Sequence, residues 1–78
     1  MKNTVHTAKI YINVDNGDLI LYNKINQLKV FSNNQLNEIL NDCLLQINNN
    51  SYIQLNKRII FTQHISGIEI ETSAGIRY

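Results

Sequence analysis

AKIYINVDNGDLILYNK, residues 8–24, carries the strongest structural signal in this 78-residue sequence. Apolar and polar side chains alternate along its first half, with Ala8, Ile10, Ile12 and Val14 on one face and Lys9, Tyr11 and Asn13 on the other. A period of two is typical of a strand that is buried on one side. Asn16-Gly17 follows, a dipeptide that favours a two-residue type I′ turn with positive φ at both positions. The stretch therefore predicts a β-hairpin.

Two-residue closure of this hairpin fixes which side chains face each other across the two strands. It pairs Val14 with Leu19, Ile12 with Leu21, Tyr11 with Tyr22 and Lys9 with Lys24. In this register the apolar side chains share one face, and the outer face carries Lys9, Tyr11, Asn13, Ile20, Tyr22 and Lys24. Tyr11 and Tyr22 are thus expected side by side, with a lysine pair next to them.

The middle of the chain predicts one helix, preceded by a short third strand within QLKVF, residues 27–31. Ser32 is a natural N-cap, and Gln35 stands at the capping-box spacing from it. An apolar stripe then recurs as on one side of an α-helix, through Leu36, Ile39, Leu40, Cys43, Leu44 and Ile47. The asparagines at 48–50 end the helix, because Asn is a poor helix former.

The last third of the chain returns to strand patterns. YIQL (52–55) points Ile53 and Leu55 to one side, RIIF (58–61) is a short apolar run, and GIEIE (67–71) alternates isoleucine with glutamate. Turns are expected at Ser66-Gly67 and at Ala74-Gly75. The order of elements predicts that residues 1–78 form a single α+β domain, in which one antiparallel sheet, ββ(β)-α-ββ(β), carries a single amphipathic helix on one face.

Composition argues against several classes of protein. The net charge is +1, without the basic excess that most duplex-binding proteins show. No apolar stretch approaches the ~20 residues of a membrane helix, and MKNTVHTAKI lacks the apolar run of a signal peptide. The one cysteine permits no intramolecular disulfide, which fits a reducing compartment. A cytoplasmic protein is therefore expected.

The sequence contains only weak signals of catalytic or metal-binding residues. Cys43 lies inside the apolar stripe of the helix, where a reactive thiolate is disfavoured. His6 and His64 have no further ligands at zinc-site spacing. Glu69 and Glu71 lie on the outer face of a strand, where a solvated edge is the simpler interpretation. No catalytic residue, metal or cofactor is therefore expected, and the chain is not expected to be an enzyme.

The outer face of the hairpin is the first candidate binding surface. Lys9, Tyr11, Tyr22 and Lys24 are expected together on it. Tyrosines beside lysines can stack single-stranded bases, and tyrosine is also enriched at protein interfaces. The same side chains can equally cover the open face of a small sheet without any partner. A protein contact and no contact weigh about equally, and nucleic acid ranks below both.

Leu45 is the centre of the second candidate surface. At ~100° per residue it falls nearly opposite Leu36, on the polar side of the helix and close to Glu38 and Asp42. A single exposed leucine is common, but a leucine ringed by polar side chains can anchor a small interface. Leu45 is therefore expected outside the core, with Glu38, Asp42 and Leu45 as candidate contact residues.

The strands–helix–strands plan and the small size resemble those of many phage-encoded proteins that inhibit host defence, including several anti-CRISPR proteins. The resemblance is one of layout and includes no shared motif. It implies a non-enzymatic module that binds a protein partner and inhibits it by covering a surface. The alternative is a single-stranded nucleic-acid-binding protein that uses the tyrosine–lysine face. A homodimer is left open, and no membrane partner is expected.

Overall fold

The structure is a computed structural model that describes residues 4–55 and 57–73. Its elements, in chain order, are β1 (His6–Val14), β2 (Leu19–Gln27), α1 (Asn33–Asn48), β3 (Tyr52–Leu55), β4 (Arg58–Phe61), a 3₁₀ turn (Thr62–His64) and β5 (Ile65–Thr72). Sheet A consists of β2, β1 and β5 in that order, and sheet B is the ribbon of β3 and β4. All pairings are antiparallel. The predicted α+β class is confirmed, and sheet B is an addition to it.

The core lies between the inner face of β1 and the elements that cover it. One cluster joins β1 to α1 and β5, through Ala8, Ile10, Phe31, Leu36, Cys43 and Ile70. A second cluster joins β1 to the end of α1 and to sheet B, through Ile12, Ile47, Ile53 and Ile60. Burial of each large apolar side chain contributes about 1.5–3 kcal/mol. Sheet B therefore completes the layer that α1 begins.

The turn between β1 and β2 is one residue longer than predicted. The N–H of Gly17 donates to the carbonyl of Val14 at 2.8 Å, and the N–H of Val14 donates to the carbonyl of Asp18 at 3.0 Å. This is the pattern of a three-residue loop whose last residue is left-handed, and Gly17 has φ 91°. The side chain of Asn16 supports the loop, because its Oδ1 accepts the N–H of Asp18 at 3.0 Å. The two-residue closure is therefore wrong.

The longer turn shifts the register of the adjoining strands by one position. Leu19 faces Asn13, and Leu21 faces Tyr11. A shift of one residue moves a side chain to the other face of a sheet. Leu19 and Leu21, which were expected in the core, therefore lie on the outer face and are 44% and 45% exposed. Ile20, which was expected outside, packs against the second cluster.

A β-bulge in β2 then cancels the shift, so that Lys9 faces Lys24 as predicted. Tyr22 is the extra residue of this bulge, since the register passes over it. Its ring packs against both core clusters, and its hydroxyl donates to Oε1 of Gln46 on α1 at 2.6 Å. The prediction that Tyr11 and Tyr22 share the outer face is wrong, because Tyr22 lies on the inner side and contacts the helix.

The start of α1 follows the local sequence. Ser32 is the N-cap, and its Oγ accepts the N–H of Gln35 at 3.1 Å. The side chain of Gln35 pairs with that of Gln27 through two amide hydrogen bonds of 3.0 and 2.6 Å. These bonds connect the end of β2 to the first turn of α1. The predicted N-cap is confirmed, and the Gln35 side chain connects α1 to sheet A.

Two local predictions fail where tertiary pairing overrides them. Residues 27–31 form no third strand, and Leu28 and Val30 are largely exposed in the connection to α1. Ser66-Gly67 is not a turn, because β5 runs through it and the register with β1 shifts there. The expected turn at Ala74-Gly75 lies outside the described residues.

Candidate interaction surfaces

The outer face of sheet A is built from three strands in register. Three outward residues of β1 each have one neighbour on β2 and one on β5, which gives the rows Lys24–Lys9–Glu71, Leu21–Tyr11–Glu69 and Leu19–Asn13–Gly67. We call these residues the sheet face. Of the residues predicted for this surface, Lys9, Tyr11 and Lys24 are together on it and Tyr22 is not. Leu19 and Leu21 take part instead.

Charges of both signs lie on the sheet face. Lys9 and Lys24 face each other, but Glu71 faces Lys9 from the other side, and Glu69 faces Tyr11. Two positive and two negative side chains give this surface no net charge. The repulsion expected between directly opposed lysines is offset by the neighbouring glutamate. The sheet face therefore does not require an anion to hold the lysines together.

The inner position of Tyr22 weakens the prediction that the sheet face binds single-stranded nucleic acid. Stacking of single-stranded bases needs aromatic rings on an open surface, and Tyr11 is the one aromatic residue of the sheet face. Burial and, to a smaller extent, the nearby Cys43 raise the pKa of the Tyr22 hydroxyl, as its interior position requires. Phosphate binding also favours a net positive surface. The sheet face therefore fits a strand of nucleic acid poorly.

Sheet B has an apolar outer face that the sequence reasoning missed. Its cross-strand pairs place Tyr52 opposite Phe61 and Gln54 opposite Ile59. On the other side of the ribbon, Ile53, Leu55 and Ile60 pack in the second cluster. Tyr52, Ile59 and Phe61 are 54%, 56% and 56% exposed. We call these three residues the ribbon face. The available signal was RIIF, whose alternate positions are apolar on both sides of the strand.

Contacts at its border hold the ribbon against the β1–β2 turn. Nη2 of Arg58 lies 3.8 Å from Oδ2 of Asp18, and Nδ1 of His64 lies 3.4 Å from Oδ2 of Asp15. The N–H of Asp15 also donates to the carbonyl of His64 at 2.9 Å. Residues of this turn and of β4, including Ile59 and Phe61, line a cavity of about 310 Å³ between the two elements. An exposed ion pair such as Arg58–Asp18 stabilises little by itself, but together these contacts restrict the position of the ribbon.

The helix residues Glu38, Asp42 and Leu45 are exposed, as predicted. Leu45 is 59% exposed, which confirms that it lies outside the core. Leu44, the other exposed leucine of α1, lines a groove beside β5 instead. Leu45 is therefore not part of that groove, and a single exposed leucine is a weak indication of an interface.

Cys43 does not have the setting of a reactive thiol. Cys43 is buried, and burial together with the neighbouring Asp42 raises the pKa of its thiol. A raised pKa keeps the thiol protonated near neutral pH, unlike an activated nucleophile. Within the described part of the chain, no group of three or more His, Cys, Asp or Glu side chains could hold a metal ion.

Among the residues that the structure describes, no helix has the length and apolar character needed to cross a membrane.

No protein-family model matches the chain, and neither the curated proteins nor the solved structures include a significant match to it. The ribbon face has the largest exposed fractions among the apolar residues that the structure brings together on one sheet face.

Proposed function

We propose that the chain is a non-enzymatic protein-binding module that acts in the cytoplasm by covering a surface of a larger protein. The observation that supports this function is the ribbon face, where two aromatic side chains and an isoleucine are each more than half exposed. Exposed apolar surface is unfavourable by ~25 cal/mol per Å². A protein partner that buries these side chains removes that unfavourable exposure.

The composition and setting of the ribbon face favour a protein partner. Aromatic residues are enriched at protein interfaces, and two of the three residues of the ribbon face, Tyr52 and Phe61, are aromatic and directly opposed. The contacts with the β1–β2 turn limit the motion of the ribbon before binding, which reduces the entropic cost of association. The layout shared with phage-encoded inhibitors of host defence, such as anti-CRISPR proteins, makes inhibition of a host protein our preferred form of this function.

Capture experiments with three baits test the proposal. The wild-type chain, the triple variant Tyr52→Thr/Ile59→Thr/Phe61→Thr and the control Leu45→Asp are each incubated with nuclease-treated lysate of the cell that carries the gene. Threonine keeps the strand propensity while removing the apolar surface. The wild type and Leu45→Asp should capture the same protein, and the triple variant should lose it. Capture by a folded triple variant would contradict the ribbon face as the binding surface.

Measurements of oligonucleotide binding test the alternative function, in which the sheet face binds single-stranded nucleic acid. We expect negligible binding of single-stranded DNA or RNA near physiological salt, because the sheet face has no net charge. If the sheet face bound single strands, Tyr11→Ala should cost ~1–3 kcal/mol of affinity per stacked base, and affinity should fall steeply with salt. That result would replace the protein-binding proposal.

A second copy of the chain is a further candidate partner. Sedimentation of the wild type and of the triple variant tests it. Self-association that the triple variant abolishes would make the ribbon face a homodimer contact and would contradict its assignment to a different protein.

A further inference from the structure

A second surface, separate from the ribbon face, lies between α1 and the beginning of β5. It is a groove of about 450 Å³ whose apolar lining comes from Leu40, Leu44, Ile47, Ile65 and Ile68. Its remaining lining residues carry amide or hydroxyl groups or are glycine, and none of them is charged. Leu44 was predicted in the core, but it is 49% exposed because it borders this groove. The groove is therefore suited to uncharged, apolar side chains.

The groove runs along an open sheet edge. Among the described strands, β5 pairs with β1 on one side and with no strand on the other. No residue of β1 or β2 lines the groove, so it lies on the side of β5 that faces away from β1. An edge strand presents a row of backbone N–H and C=O groups. An added extended chain is the partner that pairs with such a row.

We propose that the free edge of β5 and this groove together bind an extended segment of a protein partner by strand addition. The partner segment pairs its backbone with Ile65–Ile68, and its alternate side chains, apolar and uncharged, enter the groove. This mode of binding accounts for both the edge and the groove. It is independent of the ribbon face, because the two surfaces share no residue.

The dimensions of the groove agree with a short strand. The α1 wall from Leu40 to Asn48 is about 12 Å long at ~1.5 Å per residue, and the wall Ile65–Ile68 is about 10 Å long at ~3.3 Å per residue. A strand of about four residues covers this length and directs about two side chains to one face. An apolar cavity of ~150 Å³ holds a benzene-sized group, so two large side chains fit.

Charge restricts the ways in which a second copy could be the occupant. Antiparallel registers that align the acidic halves of two β5 strands would place Glu69 of one copy opposite Glu71 of the other, and like charges directly opposite each other are destabilising. A segment of a different protein without acidic residues has no such restriction, and a dimer is tested below as the competing occupant.

Peptide selection followed by affinity measurement tests the inference. A library of random 12-residue peptides is selected on the folded wild-type chain, and the strongest binder is synthesised and measured by fluorescence anisotropy. Selected peptides should carry apolar, uncharged residues at alternate positions. Leu44→Glu should weaken binding by at least ~10-fold, because a carboxylate then borders an apolar groove. The matched control Leu45→Glu, next to it on the helix, should change affinity by no more than about twofold.

Backbone pairing supplies a readout that simple hydrophobic binding would not produce. Bound peptide should slow amide hydrogen exchange in Ile65–Ile68, and N-methylation of alternate peptide amides should abolish binding. The ribbon-face triple variant should bind the peptide like the wild type, so that failure of this inference and failure of the proposed function are distinguishable. Failure to select any peptide, binding unaffected by Leu44→Glu, or a dimer that Leu44→Glu dissociates would each overturn the inference.

Discussion

Tyr22 determines what the outer face of sheet A can bind. As the extra residue of the bulge, it points to the inner side, where its hydroxyl donates to Gln46 at 2.6 Å. Its ring is partly buried and packs against both core clusters. The position of this single side chain removes an aromatic residue from the sheet face and places it beside the core.

Tyr22→Ala and Tyr11→Ala should therefore have unequal effects on stability. Truncation of Tyr22 removes a partly buried ring and a hydrogen bond, and we expect the free energy of unfolding to fall by about 2–3 kcal/mol. Truncation of Tyr11, on the outer face, should cost less than about 1 kcal/mol. Urea denaturation followed by circular dichroism measures both. Equal losses would indicate that the two rings share one environment.

Cys43 is a core residue in this structure, and its chemistry should reflect that. The folded chain should react slowly with a thiol reagent, and the unfolded chain should react rapidly. Cys43→Ala should lower the free energy of unfolding by about 1 kcal/mol, because a small cavity remains. Labelling followed by mass spectrometry, with and without denaturant, measures the contrast. Fast labelling of the folded chain would show that the thiol is accessible.

The raised pKa of Cys43 also predicts a pH dependence. Burial, with Asp42, raises the pKa of the thiol in the folded state. The unfolded chain then loses the thiol proton at a lower pH than the folded chain. The protonated thiol therefore stabilises the folded chain relative to the unfolded chain. This stabilisation is fully present below the ordinary thiol pKa and declines as the pH rises above it. Cys43→Ala should show a smaller alkaline loss of stability than the wild type in urea denaturation at several pH values.

At the scale of the elements, α1 was predictable because its signals are local. The N-cap Ser32 and the apolar stripe depend on neighbours within a few residues, and both predictions agree with the structure except at Leu44. The hairpin was predictable in its existence but not in its register. Both a two-residue and a three-residue loop place Gly17 at positive φ, so the sequence does not distinguish them by that residue alone.

The pairing of distant strands could not be predicted from local pattern. β5 pairs with β1 across a long stretch of chain, since Lys9 and Glu71 face each other and are 62 residues apart in sequence. The short strands β3 and β4 pair with each other and remain outside sheet A. The bulge at Tyr22 depends on packing against α1, and alternation of residue types does not reveal it. In these cases the burial of apolar side chains by long-range packing overrides the local secondary-structure preference of the sequence.

The hairpin loop predicts a specific response to substitution at Gly17. A Cβ at this position would meet no atom within 4 Å, so the cost of a side chain comes from φ 91° alone. Gly17→Val should lower the free energy of unfolding by about 1–2 kcal/mol, because a β-branched residue resists positive φ. Gly17→Asn should cost less, since Asn tolerates that region. Equal stability of the two variants in urea denaturation would contradict the left-handed conformation at Gly17.

At the scale of the whole molecule, the candidate site was predicted only in part. Lys9, Tyr11 and Lys24 do share a face, and Leu45 is exposed. The ribbon face was not predicted, because the short apolar run RIIF does not by itself show which of its side chains face outward. Only the pairing of β3 with β4 shows that the second cluster needs just one side of the ribbon. The other side is then left as an apolar surface.

Photo-crosslinking from single positions measures directly where a partner binds. The photoreactive residue p-benzoylphenylalanine replaces Phe61 on the ribbon face, Tyr11 on the sheet face or Leu45 on α1, and each folded variant is irradiated in nuclease-treated lysate. All three positions are at the surface or partly exposed, so the reagent itself does not favour one of them. We predict one protein adduct from position 61 and none from positions 11 and 45. Adducts from position 11 or 45 with none from position 61, or adducts with nucleic acid in untreated lysate, would contradict a protein-binding ribbon face.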